Sequence, residues 1–475
     1  MENASSTRPE NISDRIPLKE KLIYGAAGIT DMWSAFTMIR LQVPIFTVLL
    51  GLSPTLVGII MVVFRIWDGI SDPVFGWLSD NARTRWGRRR PFILVGGILI
   101  GITLPLVYFV QVDWSQTMMV TWITVTGLML FTAHSCWNVP YQSLMLEMTP
   151  DSNERTSLSA VRAYFQQGSS IVHGMLWFFI TLPIFAKASG ELDTMFGTRV
   201  VITLMALFSM GVGILPAIFL RERYYRNAIK QEKTSIWANF KLTFSNRPFI
   251  YLALFSLLYI VGANFAYGIF TFARYYYVTQ GNEVLTAKIT GVDGVINTIC
   301  AILGVPCAQW VANRFGKCTA LTTGAAISIV ASLLTWITFT PISPYLSVIC
   351  NPLFGFAGAV IWVIIPSMTG DVADHDELIT GQRHEGAFAS IFSWIVKMTI
   401  SIGMVLPGPL MELAGFDVKL GAHQTESALF GMRLILALAP AIIMFPALFI
   451  LARYPLTAAR MGEIRDELET RRGKL

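Results

Sequence analysis

The chain has 475 residues, of which 54% are apolar and only 14% are charged, and its formal net charge is +6. A soluble domain usually carries about 25% charged residues, whereas the apolar residues here fall in runs of about 20, long enough to cross a bilayer as helices. This composition excludes a cytosolic enzyme, a secreted disulfide-rich scaffold and a nucleic-acid-binding protein, and it indicates a polytopic helical membrane protein.

Hydrophobic runs separated by polar breakers predict twelve transmembrane helices. The predicted spans are 23–50, 54–78, 92–110, 117–146, 158–186, 200–220, 249–277, 286–312, 318–340, 344–367, 385–413 and 428–452. Most of the 36 Lys and Arg residues lie in the termini or in the loops on the same side of the membrane. This asymmetry predicts that both termini are cytoplasmic. The polar first 22 residues lack the apolar segment of a signal peptide, and the expected location is the inner membrane.

The longest polar stretch divides the chain into two halves of six helices. The predicted organisation is an N-terminal tail at 1–22, a first half at 23–220, a central cytoplasmic loop at 221–248, a second half at 249–452 and a C-terminal tail at 453–475. The loop after the second helix, residues 76–91, is weakly echoed after the eighth helix at 309–317. Two such halves predict a major facilitator fold, with the binding site between them near the middle of the membrane.

The second predicted helix carries Arg65, Asp68 and Asp72 on one face. Charged residues inside a membrane usually face a cavity or a partner, because lipid cannot solvate them. Two carboxylates one turn apart offer oxygen ligands to a monovalent cation, and burial favours a proton there instead. The alternative is a structural ion pair with Arg65 or with Lys397 of the eleventh helix.

Other predicted spans place polar side chains at helical spacing. Asp31 lies on the first helix, and Arg40 is expected on its opposite face, where an ion pair or a packing role is at least as plausible as ligand binding. The remaining residues are His134, Asn138 and Gln142 on the fourth helix, Arg162, Gln166, Ser169 and His173 on the fifth, Asp293 and Asn297 on the eighth, Trp362 on the tenth, and Ser390, Trp394 and Lys397 on the eleventh.

This set of polar groups favours a small polyhydroxylated solute, for which directed hydrogen bonds replace water. Trp362 either stacks on a sugar ring or only packs. A carrier of amphiphilic, lipid-like or drug-like solutes is the alternative, and a non-transporting membrane sensor is a remote one. We see no metal cluster, nucleophile motif or phosphate loop among the spans, so an enzyme and a cofactor are not expected.

The run 65–73, followed by Gly76, Trp77 and the basic segment 85–91, resembles the glycoside–pentoside–hexuronide:cation symporters. So do Tyr24 and Gly25 at the start of the first helix, and the segment 371–386 before the eleventh. The resemblance extends over nearly the whole chain. It implies a cation-coupled symporter in a lipid membrane, with a sugar or glycoside and Na⁺ or H⁺ as its partners. A monomer can suffice for transport, and the oligomeric state remains open.

The resemblance to the melibiose carriers implies roles for individual residues. Asp68 and Asp72 would bind the cation, and the helix 4 position where that family has an acidic ligand is Asn138 here, with Ser135 beside it. One negative charge is therefore lost, and both Na⁺ and H⁺ remain open. The implied sugar-cavity or coupling residues are Asp31, Arg162, Trp362 and Lys397, with Gln142 replacing an aromatic residue of the family.

The loop after the second helix carries Asp80, Arg88, Arg89 and Arg90. These residues are expected either to latch the cytoplasmic side of the transporter or only to enforce its topology. Arg40, Arg162 and Lys397 are all intramembrane cations, but each can be matched by an aspartate. Neutral and acidic sugars therefore both remain open as solutes.

Overall fold

A computed structural model describes residues 15–149, 152–222, 242–381 and 384–472 of the chain. These residues form twelve long helices and a short thirteenth. They are α1 Leu18–Leu49, α2 Pro54–Asn81, α3 Arg90–Val107, α4 Gln116–Met148, α5 Ser152–Gly174, α6 Thr194–Phe219, α7 Arg247–Val278, α8 Glu283–Phe315, α9 Lys317–Thr338, α10 Cys350–Thr380, α11 Glu385–Val405, α12 Glu426–Ala452 and α13 Ala458–Arg472. Short helical turns at Leu176–Ile180 and Pro407–Leu413 continue α5 and α11.

The helix boundaries follow capping signals in the sequence. Ser53 and Ser115 accept hydrogen bonds from the backbone amides of Leu56 and Met118 at the starts of α2 and α4. Such caps satisfy amides that have no partner within the helix. At the other end, α10 stops at Gly381, whose φ of +72° is a left-handed conformation that favours glycine.

Eleven of the described helices are long and apolar enough to cross a membrane. The described helix α5 has the length but is not among them, because residues such as Arg162, Gln166 and Gln167 make it polar. The predicted all-α polytopic fold is confirmed, and the helix count agrees with twelve spans. Helix α10 runs to Thr380, well beyond its predicted end at 367, and α5 ends at Gly174 rather than at 186.

The two sets of six helices have separate apolar cores. One large cluster of buried side chains is formed by residues 249–468 with Val43 as its single contribution from α1. Two further clusters draw only on residues 16–220. Each half therefore has its own packed interior, and the surface between the halves is left for polar groups.

We call the side of the bundle where α1 begins and α12 ends the terminal side, and the opposite side the distal side. The halves approach closely on the distal side. A Cβ built on Gly294 of α8 would lie 2.9 Å from the Cα of Gly174 in α5, and one built on Gly408 would lie 2.7 Å from the carbonyl carbon of Pro54. Side chains at these positions would force the halves apart.

The predicted C-terminal tail at 453–475 contains the helix α13. Met461, Ile464 and Leu468 of α13 are buried in the core of the second half. Parts of the predicted segments lie outside the described residues: 1–14 of the N-terminal tail, 223–241 of the central loop, 382–383 of the segment 371–386, which include Arg383, and 473–475 of the C-terminal tail.

Candidate solute and cation site

The carboxylates of α2 meet a lysine from the other half of the molecule. The Nζ atom of Lys397 in α11 contacts Asp72 Oδ2 directly and lies 3.4 Å from Asp68 Oδ2. Arg65 Nη1 is 3.7 Å from the same oxygen of Asp68. We call Arg65, Asp68, Asp72 and Lys397 the bridging cluster, since it joins α2 to α11 across the interface between the halves.

The bridging cluster contains the ion pairs with Arg65 and with Lys397 that the sequence offered as the alternative to a cation site. Asp68 is buried, and the side chains of Asp72 and Lys397 are 19% and 34% exposed, so the cluster borders an accessible space. Asp72 Oδ1 is buried without a hydrogen-bond partner among the described residues. An ammonium group thus occupies the place expected for a cation, and one oxygen of the pair has no partner in the described structure.

The two helix 4 residues predicted beside this pair make other contacts. Ser135 Oγ lies 2.7 Å from Ser71 Oγ, which adjoins Asp72 on α2. Asn138 Oδ1 accepts a hydrogen bond from Gln142 Nε2 at 3.0 Å. Ser135 therefore fixes α4 against the helix that carries the carboxylates, while Asn138 and Gln142 form a pair one turn apart on α4.

Asp31 forms a second cluster, which lies within the first half. Its Oδ2 atom accepts hydrogen bonds from Arg162 Nη2 and Gln166 Nε2, each at 2.8 Å. His134 Nε2 is 3.8 Å from Asp31 Oδ1, and its Nδ1 atom is 2.8 Å from Ser34 Oγ. We call Asp31, His134, Arg162 and Gln166 the Asp31 cluster; it links α1, α4 and α5.

The Asp31 cluster confirms the helical spacing of the polar stripes and adds two members. His134 and Gln166 were noted on their helix faces in the sequence, but neither was selected as a site residue. Arg162 also lies over the ring of Tyr141, 5.3 Å from its centroid. The guanidinium is thus held by a carboxylate and an aromatic face, which fixes the orientation of its remaining donors.

Trp362 and Arg40 line a cavity on the distal side of these clusters. The cavity has a volume of about 400 Å³, and Tyr267, Asp293 and Asn351 also contribute to its wall. Trp362 is 50% exposed, so its ring is available for stacking. Arg40 donates to the carbonyl oxygen of Gly174 at 3.1 Å and does not share the Asp31 cluster, as the helix geometry predicted.

An ion pair that the sequence analysis missed holds this wall together. Arg274, near the end of α7, is 3.0 Å from Asp293 Oδ2, and Asn351 Nδ2 donates to the same oxygen at 2.8 Å. Arg274 also donates to the carbonyl oxygen of Ser347. Its position inside an apolar run was the available signal, because such an arginine requires an acidic partner.

The predicted gate residues form a network on the terminal side of the first half. Arg89 contacts Asp80 and donates from Nε to Glu147 Oε1 at 2.9 Å, and Arg88 Nη2 is 2.5 Å from the same Glu147 oxygen. Arg90 donates to the carbonyl oxygens of Ala217 and Ile218 at the end of α6. We call Asp80, Arg88, Arg89 and Glu147 the arginine cluster.

The described contacts of Asp80, Arg89 and Arg90 stay inside the first half. The backbone amides of residues 88–90 all donate to the carboxylate of Glu222, which ties the loop to the end of α6. In the second half, Lys317 at the start of α9 lies 2.6 Å from Asp371 Oδ2 of α10, and these are the third and fourth helices of that half. Each half therefore has its own ionic anchor on the terminal side.

Comparison with known proteins identifies relatives over the whole length of this architecture. Residues 22–458 match the family model described as MFS/sugar transport protein. The chain is 26% identical over 430 residues to the glucuronide carrier protein homolog of Escherichia coli, with 90% of each chain covered. It is 25% identical to the isoprimeverose transporter of Lactiplantibacillus pentosus, over 87% of this chain and 85% of that one.

A solved structure has the same fold at low identity. The crystal structure of the nucleoside transporter NupG superposes with a TM-score of 0.63 at 14% sequence identity, and the match covers 93% of this chain and 100% of the other. At this identity the similarity describes the arrangement of the helices and carries no information on the solute.

Proposed function

The chain belongs to the MFS/sugar transport protein family, and from that membership we propose that it transports a sugar, glycoside or sugar acid together with Na⁺ or H⁺ by alternating access. The resemblance recognised in the α2 motif is confirmed by this membership, and the protein is a multi-pass membrane transporter rather than an enzyme. In our proposal the coupling ion is its only requirement besides the solute and the membrane, and one chain suffices.

The bridging cluster is the single observation that carries the proposal of cation coupling. Lys397 brings its positive charge from the second half to two carboxylates of the first. A free cation bound by Asp68 and Asp72, or a proton on one of them, would compete with that ammonium. Cation binding would therefore release Lys397 from the carboxylates and weaken the interaction between the two halves.

This competition gives a physical basis for symport. A ligand shifts a conformational equilibrium only by binding one state better than the other. If the cation and the solute both favour the state in which Lys397 has left Asp72, each raises the affinity for the other by the same factor. Asn138 and Ser135 lie on α4, which Ser135 joins to α2, and they complete the proposed cation site.

The solute would lie between the Asp31 cluster and Trp362. Asp31 already orients the hydrogen-bonding groups of Arg162, Gln166 and His134. Gln142 is exposed on α4, the helix that also carries His134. Trp362 supplies a half-exposed aromatic ring from the second half. Directed hydrogen bonds from one half and an aromatic face from the other suit a sugar ring.

We further propose that the terminal side is cytoplasmic and that the protein resides in the inner membrane of the cell. The excess of Lys and Arg on that side supports this orientation. Since the halves are in contact on the distal side, the described arrangement would then be the one that faces inward. The arginine cluster would become a latch only when the terminal side closes.

Uptake into proteoliposomes tests the proposed function. The purified protein is reconstituted, and radiolabelled glucuronate, galacturonate, methyl glucoside and methyl xyloside are supplied with an imposed Na⁺ gradient, an imposed pH gradient or neither. We expect at least one sugar to accumulate above equilibrium with one of the gradients and only to equilibrate without it. The proposal would be contradicted if no sugar were taken up or exchanged under any gradient while the protein bound lysolipids.

A further inference from the structure

The cavity of about 400 Å³ on the distal side shares Trp362 with the solute position proposed above, but no described member of the Asp31 cluster or the bridging cluster lines it. Its wall comes from both halves and includes Arg40, Tyr267, Arg274 and Asp293. Of the described residues, neither Asp31 nor Asp72 lines it. The charges in this wall therefore require their own account.

The charges in the wall do not cancel. Arg274 and Asp293 neutralise each other at 3.0 Å, with both side chains almost fully buried. Arg40 has no carboxylate within ion-pair distance among the described residues, and its hydrogen bond goes to the carbonyl oxygen of Gly174. In contrast, the intramembrane cations Arg65, Arg162 and Lys397 each have an aspartate partner.

The contact of Arg40 with Gly174 explains its position but leaves most of its donors unused. Gly174 is the last residue of α5, and a guanidinium at a helix C-terminus is favoured by the carbonyl groups there. That hydrogen bond uses one of the five N–H donors of arginine. An anion in the cavity can still be bound by the other donors in the planar geometry that suits carboxylate and sulfonate groups.

The rest of the wall is suited to a hydroxylated ring. Asp293 Oδ1 and Asn351 Oδ1 are buried acceptors with no hydrogen-bond partner among the described residues. Tyr267 and Trp362 are 40% and 50% exposed and offer aromatic faces. Hydroxyl groups are the donors that such acceptors lack, and a pyranose ring has both hydroxyl groups and apolar faces.

We propose that the solute is an anionic sugar, and that Arg40 binds its carboxylate or sulfonate group while the wall formed by Asp293, Asn351 and Trp362 accommodates the ring. This inference rests on the proposed function and narrows the range of solutes. When a solute displaces water from the cavity, an anionic group is needed to neutralise the positive charge of Arg40. A neutral sugar would leave that charge unmatched.

Ligand binding to the purified, detergent-solubilised full chain tests the inference by calorimetry. The probes are three acids (glucuronate, galacturonate and 6-sulfonated quinovose) and two neutral compounds, glucuronamide and methyl glucoside. Glucuronamide differs from glucuronate essentially in charge. We expect at least one acid to bind about tenfold or more tightly than both neutral compounds, as a charge-assisted hydrogen bond predicts.

Two variants and a matched control locate the effect at Arg40. In Arg40→Gln the affinity for the acid falls by about tenfold or more, while the affinity for glucuronamide is unchanged. Arg40→Lys keeps part of the preference for the acid over the neutral compounds. The control is Arg433→Gln, because Arg433 also donates through Nη2 to a backbone carbonyl at 3.1 Å but does not line the cavity. The control variant keeps the full preference for the acid.

The outcomes separate this inference from the proposed function. Neutral sugars that bind the parent protein as tightly as acids overturn the inference and leave sugar transport standing. An equal loss of acid and amide binding in Arg40→Gln, with the ligand-free melting temperature unchanged, also overturns it. If no sugar binds at all, both proposals fail. The comparison of acid and amide on the parent protein remains decisive even if Arg40→Gln does not fold.

Discussion

The bridging cluster and the arginine cluster both begin on α2, but the bridging cluster joins the two halves, whereas the ion pairs described for the arginine cluster lie within the first half. Asp72 meets Lys397 from α11, whereas Asp80, two turns further along, meets Arg89 from the loop that follows its own helix. Charges within one half move together when the halves rock, so their interaction does not change. Charges that face each other across the interface change their separation when the halves rock, so they can link a bound cation to a conformational change.

The largest expected effect comes from removing the carboxylates of the bridging cluster. In Asp68→Asn with Asp72→Asn, the accumulation ratio of the transported sugar in proteoliposomes should fall to about one, because no carboxylate remains in the bridging cluster to bind the coupling cation. Exchange of sugar at equilibrium should persist. The measurement is steady-state uptake under an imposed Na⁺ or pH gradient.

Asp80→Asn provides the matched control for that variant. It removes a carboxylate from the same helix, but one whose partners lie in the first half. The ion dependence of uptake should survive in this variant even if the rate changes. Concentrative uptake by the double variant, or loss of ion dependence in Asp80→Asn, would break the distinction between the two clusters.

Glu147→Gln should give the second largest effect, on stability rather than on coupling. Glu147 is 2% exposed and accepts hydrogen bonds from both Arg88 and Arg89. Its neutralisation removes the buried carboxylate that these guanidinium groups share, while Asp80, whose side chain is 55% exposed, remains beside them. The expected cost is about 3–5 kcal/mol of unfolding free energy. Thermal unfolding of the purified protein measures it, and a change in ion preference without loss of stability would argue for a coupling role instead.

Loss of Arg162 should weaken sugar binding without altering the choice of ion. Arg162→Gln removes the charged donor that Asp31 orients, and we expect affinity to fall by about tenfold to a hundredfold. Calorimetric titration at a fixed Na⁺ concentration and pH measures this. If the ion dependence disappears together with the affinity, the Asp31 cluster also takes part in coupling, and coupling does not depend on the bridging cluster alone.

A smaller effect is expected at Trp362. Trp362→Ala removes the half-exposed ring from the second half, and sugar affinity should fall by about threefold to tenfold, while Trp362→Phe should lose less. Equal affinities in all three proteins would show that this ring only packs. That result would decide between the two interpretations the sequence left open.

The smallest effect is expected for an exposed pair outside the interface. Arg460 and Glu463 on α13 are 2.6 Å apart, but their side chains are 50% and 63% exposed. Surface pairs contribute little, so Arg460→Gln should change the unfolding free energy by less than about 0.5 kcal/mol. Thermal unfolding checks this, and a large loss would mean that Arg460 stabilises the protein through more than this surface pair.

The sequence predicted elements whose signal is local. The twelve apolar runs predicted the helices, and the spacing of Asp68 and Asp72 predicted a shared face. Lys397 was a candidate partner because an intramembrane lysine requires a carboxylate. The choice of ion and the exact solute depend on small differences between similar oxygen-lined sites, so spacing alone does not predict them.

What the sequence did not predict depends on packing between distant segments. Glu147 lies far along the chain from Arg88 and Arg89, and only the packing of α4 beside α2 and α3 brings them together. The pair of Arg274 and Asp293 joins α7 to α8 in the same way. The sequence did not predict α13 as a helix because it contains few apolar residues. Those residues form a buried face only where α13 packs against α10.

The measurement that tests the central claim most directly is the melting temperature of the parent protein with its sugar, over a series of Na⁺ concentrations and at two pH values. Our account predicts that the stabilisation by sugar grows with one cation, and that the stabilisation by that cation grows equally with sugar, because linkage is reciprocal. A sugar-induced shift that is independent of both Na⁺ and pH would contradict the account, since the bridging cluster would then have no part in solute binding.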